Sequence, residues 1–148
     1  MANHLRQQIR EQVGTTLTGL TTTGSRVYQS RVYPLSANLS PSLLIYTKSE
    51  ESQPIVIGSS RTMERILSLN IEAYVKATAN SDDTIDTIAK EVESALAADT
   101  TLNGLAKDCF LEGTEIDYNG EGEQPISVMT MTFAIMYITS ESSPDIAL

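Results

Sequence analysis

Between Arg61 and Thr78 the chain alternates: Met63, Leu67, Leu69, Ile71, Ala73, Val75 and Ala77 are apolar, Arg65 interrupts them once, and Glu64, Ser68, Asn70, Glu72 and Lys76 fill even positions. Successive side chains of a strand point to opposite faces, so this period of two describes a long strand with one wet face. A helix competes. Met63, Ile66, Leu67, Ile71, Tyr74 and Val75 also share one side of a 3.6-residue wheel, and Glu72 would pair with Lys76 one turn on. The helix leaves Leu69 on the wrong side and places Asn70 inside, so the strand is favoured. Such a strand needs neighbours for its backbone and a covering layer for its apolar face.

The remaining chain supplies both. In residues 2–18, Leu5, Ile9, Val13 and Leu17 recur every four positions, with Arg6, Gln7, Arg10 and Glu11 facing away, which predicts an amphipathic helix. Gly19 and Gly24 bracket a threonine-rich turn. Ser25–Tyr33 and Ser42–Lys48 read as strands joined by a loop that begins at Pro34 and ends at Pro41. Arg26 and Arg31 stand on opposite faces of the first, as suits a solvated edge. Ser49–Ser60 holds the apolar triplet Ile55, Val56 and Ile57 between polar ends, and is either a short edge extension or a projecting hairpin whose tip meets another subunit or a partner.

Asn80–Ala98 is a second helix, with Ile85, Ile88, Ala89, Val92 and Leu96 in one stripe and Asp86 pairing with Lys90. Ser81, Asp82 and Asp83 offer capping oxygens and suit the positive end of the helix dipole. Asp82, Asp83 and Asp86 lack the glycine and distal glutamate of a calcium loop, so capping outweighs metal binding. Asp99–Gly104 turns the chain, Ala106–Tyr118 alternates as a strand, Asn119–Pro125 forms an acidic hairpin loop, and Ile126–Ile138 is a strand apolar on both faces. That last strand is expected to be central or covered by a neighbouring subunit.

A chain of 148 residues has room for one domain, here residues 1–138, followed by an extended or flexible tail over 139–148. The expected fold is α+β: a single mostly antiparallel sheet with two helices packed on one face, in the order α-β-β-β-α-β-β. No apolar run is long enough to cross a bilayer, and the N-terminus lacks a signal-peptide core, which reads as an intracellular product. One cysteine, Cys109, and one histidine, His4, exclude an internal disulfide or a Cys/His metal cluster in one chain. Cys109 reads as a half-buried strand residue rather than a nucleophile, and His4 as solvated. Residues 1–78 carry eight Lys/Arg against five Asp/Glu, whereas residues 79–148 carry two against fourteen. The acidic half argues against tight nucleic-acid binding. It solvates an outer wall or repels passing DNA.

The segments RVYPLSANLSPSLLIYT at Arg31–Thr47, RTMERILSLNIEAYVKA from Arg61, Asp82–Ile116 with Glu91-Val92-Glu93 before Ala95-Leu96 and Asp99 ahead of Leu102, and the terminal FAIMYIT together resemble the tail terminator (minor tail protein U-like) family of long-tailed bacteriophages. The resemblance spans nearly the whole chain but rests on layout rather than on a functional motif. It implies a virion protein, made in the host bacterial cytoplasm and sited at the neck-proximal end of the tail. There it would close into a homo-hexameric ring, cap the tail tube protein, end its polymerisation and offer a surface to the head–tail connector. DNA passes through such a ring without tight binding. Under this reading there are no catalytic residues, no metal and no cofactor. Ile55, Val56, Ile57 and Arg61 are interface candidates, and Asp117, Glu121 and Glu123 are candidates for lumen-facing acids. The alternatives are another head–tail joining or tail completion protein, or a small α+β enzyme or ligand-binding domain; against the last, the chain lacks a nucleophile elbow and a P-loop.

Overall fold

The long alternating stretch is a strand, and it lies at the middle of the sheet. The computed structural model describes residues 2–29, 41–76, 80–119 and 126–148. In chain order its elements are α1 (Leu5–Leu17), β1 (Val27–Tyr28), β2 (Ser42–Pro54), β3 (Thr62–Lys76), α2 (Ser81–Ala97), β4 (Asp108–Asn119) and β5 (Ile126–Ser140). The five strands form one sheet in the order β1-β2-β3-β5-β4. Only β1 and β2 pair in parallel; the other pairs are antiparallel. This is the expected α+β architecture.

β3 pairs along its length with β2 on one side and β5 on the other, from Met63 opposite Pro54 and Thr139 to Tyr74 opposite Ser42 and Val128. Leu67, Leu69, Ile71, Ala73 and Val75 enter the core from one face. They meet Leu5, Ile9, Val13 and Leu17 of α1 and Ile85, Ile88, Val92 and Leu96 of α2. Met129, Met131, Phe133, Ile135 and Tyr137 of β5 complete it. The other face of β3 is wet only in part, a correction to the simple alternation: Glu64, Ser68 and Lys76 are half-buried, whereas Asn70 and Glu72 are buried. Asn70 donates to the Tyr46 hydroxyl at 3.3 Å and its side-chain oxygen accepts from Thr132 Oγ1 at 2.9 Å. Neighbours on both sides shield these positions of a central strand, and the two hydrogen bonds of Asn70 offset its burial.

Other boundaries moved. Among the described residues of the expected strand Ser25–Tyr33, β1 spans Val27–Tyr28; residues 30–40, with Arg31 and most of the proline loop, lie outside the described residues. Arg26 is not merely solvated: its Nε donates to the Pro41 carbonyl at 2.7 Å. β2 continues past Lys48 to Pro54 through polar residues, because ladder bonds to β3 need no apolar side chains; a bulge between Thr47 and Ser49 adjusts its register. Asn80 precedes α2 at φ 60°, and no side chain caps the helix, so Asp82 and Asp83 act only through the helix dipole. The ion pairs found do not join Asp86 to Lys90. Leu102, Asn103 and Gly104 turn the chain at positive φ, and Asp99 accepts the Asn103 N–H at 3.0 Å.

The last residues fold back on the domain. Leu5 N–H donates to the Pro144 carbonyl at 2.8 Å, Gln8 Nε2 to the Asp145 carbonyl at 2.9 Å, and Leu148 N–H to the Ile138 carbonyl at 3.0 Å. The segment thereby satisfies a first-turn donor of α1 that the helix itself leaves open.

Candidate interface surfaces

Glu50, at the level where β2 leaves the core, joins four elements. Its Oε2 accepts from Arg6 of α1 at 2.7 Å and Arg65 of β3 at 3.4 Å, and its Oε1 accepts from the Tyr137 hydroxyl of β5. Arg65 Nε also donates to Thr139 Oγ1 at 3.2 Å. This clamp fixes the root of the β2–β3 hairpin. Beyond it the strands run out to a tip closed by the Ile55 N–H donating to the Thr62 carbonyl at 2.8 Å.

Ile55, Val56 and Ile57 sit in that tip, exposed by 49%, 49% and 95%. Of Ser49–Ser60, Ser49–Pro54 extends β2 as a strand and the remainder lies in the loop that closes the β2–β3 hairpin. Arg61 is at its base, where it pairs with Glu141 at 3.3 Å while its carbonyl accepts the Glu141 N–H at 2.8 Å. Ile57 stands almost wholly in water, and Ile55 and Val56 are about half covered by their own protomer, so the braced arm presents an apolar tip.

The helix-free face of the sheet carries a groove of about 680 Å³ lined by Tyr46, Lys48, Asn70, Glu72, Thr130 and Thr132 together with Glu115 and Asp117. Asp117 is exposed there; Glu121 and Glu123 lie outside the described residues. The charged lining is Glu72, Glu115 and Asp117 against Lys48. Beside the groove β4 is bare: every residue from Glu112 to Tyr118 is exposed, with Phe110, Ile116 and Tyr118 among the large exposed apolar side chains. The pKa of Tyr118 is raised by desolvation, then by the nearby carboxylates Asp82 and Asp86.

Cys109 is buried, and desolvation, then Asp108 and Asp99, push its thiol up to about 11, so it stays protonated at neutral pH. His4 is not simply solvated. Its Nδ1 accepts the Arg6 N–H at 3.0 Å and caps α1. Among the described residues no His/Cys/Asp/Glu group is arranged to hold a metal ion, and no helix is long and apolar enough to cross a membrane. The sequence reading missed the Glu50 clamp and the exposed β4. Glu50, one of two glutamates in SEESQP, carries no signal of its partners, while the three acids of LEGTEID were a visible hint of an open edge.

The family model for phage minor tail protein U matches residues 4–137. No curated protein matches the chain. Among solved structures, a chain of the "Virion of native gene transfer agent (GTA) particle" aligns with 9% identity and a TM-score of 0.35, over 90% of this chain and 92% of that one. At that score the likeness does not bear on function.

Proposed function

The chain belongs to the phage minor tail protein U family and is a structural component of phage tails; on that footing we propose that it closes into a six-membered ring on the head-proximal end of the tail tube. The ring ends tube polymerisation and offers the surface on which the head's connector docks. The observation that supports a capping role best is the hairpin tip, where Ile55, Val56 and Ile57 stand in solvent on an arm braced at Glu50. Burying such side chains contributes about 1.5–3 kcal/mol each when burial is complete. The costs of association reduce the net gain. Arg61, already paired to Glu141, positions the base of the tip and contributes to the contact secondarily.

The groove face is the one we assign to the channel. It is polar, and its carboxylates outnumber its one lysine. A passing polyanion is not held by such a wall, whereas Lys or Arg there would bind phosphate by releasing counterions. Asp117 is the described acid we assign to this lumen; Glu121 and Glu123, which follow it in sequence, are proposed for it on charge alone.

The test is assembly with purified tail-tube protein. Light scattering should give a ring on the tube end, and electron microscopy should show tubes that stop growing when this protein is added. Binding to the connector or portal alone, with no effect on tube length, would instead identify a different head–tail joining protein.

A further inference from the structure

After β5 the chain turns back along its own sheet. Alternate residues of a strand send their carbonyls to the same side, and on β5 those of Met136, Ile138 and Ser140 point away from β3. The Met136 carbonyl accepts the Lys107 N–H at 2.7 Å, just ahead of β4. The Ile138 carbonyl accepts from Leu148 at 3.0 Å, and the Ser140 carbonyl from Ser143 at 3.2 Å. β4 reaches as far as Asp108, opposite Met136, so residues 141–148 take over the cover of the β5 edge where β4 stops. They hold it lightly. None of the eight is buried, Ala147 packs against the core from the side, and the Arg61–Glu141 pair, about half exposed at both ends, contributes little. The rest is hydrogen bonding, from Leu5 N–H to the Pro144 carbonyl and from Gln8 to that of Asp145. A segment with so few buried apolar contacts opens before the domain around it unfolds.

We propose that residues 141–148 are a detachable strap, which closes the outer edge of β5 in the free protein and swings off when an extended segment of the tail-tube protein pairs with Ile138–Ser140. The inference rests on the reading above that the hairpin tip meets the tube, and it adds a second contact and the step that opens it. The occupant follows from continuity. One row of backbone pairs crosses this end of the sheet: the Ile55 N–H donates to the Thr62 carbonyl, Thr62 lies opposite Ser140, and the Ser140 carbonyl meets the strap. A protein seated on the tip is therefore two strand spacings, about 10 Å, from the edge that the strap covers. A site that is competent only while the strap is off binds more weakly in proportion to the time it spends covered. Meanwhile an edge that would template any strand stays shut until the tube engages.

Two variants test it: one that lacks residues 141–148, and full-length Ala147→Asp, which puts a carboxylate where the strap meets the core. Circular dichroism checks that each folds. Each should bind tube protein with a Kd about ten-fold or more below that of wild type, because neither has a seated strap to open. In the wild-type protein, the Ser143 and Leu148 amides should exchange with solvent at least about ten-fold faster than the Leu69 amide of β3. Folded variants that bind as wild type does, or more weakly, overturn the strap and leave the tip reading standing. Strap amides as slow as that of Leu69, or failure of both variants to fold, also overturn it, since the segment is then a fixed part of the domain. Variants that pair with one another and not with the tube overturn the tube as occupant. Wild type and variants that all fail to bind the tube overturn the tip reading, and this inference with it.

Discussion

The hydroxyl of Tyr137 on β5 donates to the carboxylate of Glu50 on β2, with β3 lying between the two strands. Tyr137 is fully buried, so its hydroxyl must find a partner inside the protein. Burial first, then the Glu50 hydrogen bond and charge, raise its pKa, and it stays protonated. Glu50→Ala leaves this hydroxyl and the Arg65 guanidinium, 13% exposed, without their acceptor. Urea unfolding should show a loss of about 3 kcal/mol. Arg6→Ala, at a side chain 39% exposed, should cost less than about 1 kcal/mol. Equal costs would mean that Glu50 is not the hub.

Leu69 is fully buried where β3 meets the helices. Leu69→Ala should therefore cost about 2–5 kcal/mol in the same assay. A change under about 0.5 kcal/mol, the scale of an ordinary surface substitution, would contradict a core beneath β3.

The core was legible because periodicity reports burial directly. Leu67, Leu69, Ile71 and Val75 at period two, and Leu5, Ile9 and Val13 at period four, each mark one covered face. Extent was less legible. β2 runs six residues beyond Lys48 through SEESQP, since its stability there comes from backbone pairing, which leaves no trace in side-chain hydropathy. The Glu50 clamp joins residues as far as 87 apart in sequence, and single-chain pattern has no reach across such distances. The tip triplet was legible as an oddity, three apolar residues between polar ends, but its exposure depended on how far the hairpin extends.

Ile55→Ser, Val56→Ser and Ile57→Ser together should leave the folded monomer within about 1 kcal/mol of wild type, because the side chains are at least half or nearly half in water. The same variant should fail to bind tube protein by sedimentation. Unchanged binding with intact folding would remove the tip from the interface.

Cys109 should resist modification. With its thiol pushed up to about 11, the thiolate fraction at neutral pH is roughly a hundred-fold or more below that of a free cysteine. A thiol reagent should react with it at the rate of the unfolding or opening that exposes it. Prompt reaction in native buffer would show that β4 separates from the core far more readily than its pairing with β5 implies.

His4 gives the fold a pH dependence whose sign follows from its cap. Its Nδ1 accepts the Arg6 N–H, which only the unprotonated nitrogen can do. Desolvation first, then the charge of Arg6, lower its pKa below 6.5, with Arg65 adding to the shift and Glu50 and Asp145 opposing it. The unfolded chain therefore binds more protons than the folded one between the folded value and 6.5, so stability from this group rises with pH. It is fully present above 6.5 and is lost as pH falls through the folded pKa. His4→Asn keeps a capping oxygen without a titrating group. Unfolding free energies measured from pH 7.5 down to 5 should fall more for wild type than for this variant, and the imidazole should titrate below 6.5 by NMR. Parallel pH curves for the two proteins, or an imidazole titrating above 6.5, would show that the cap does not hold in solution.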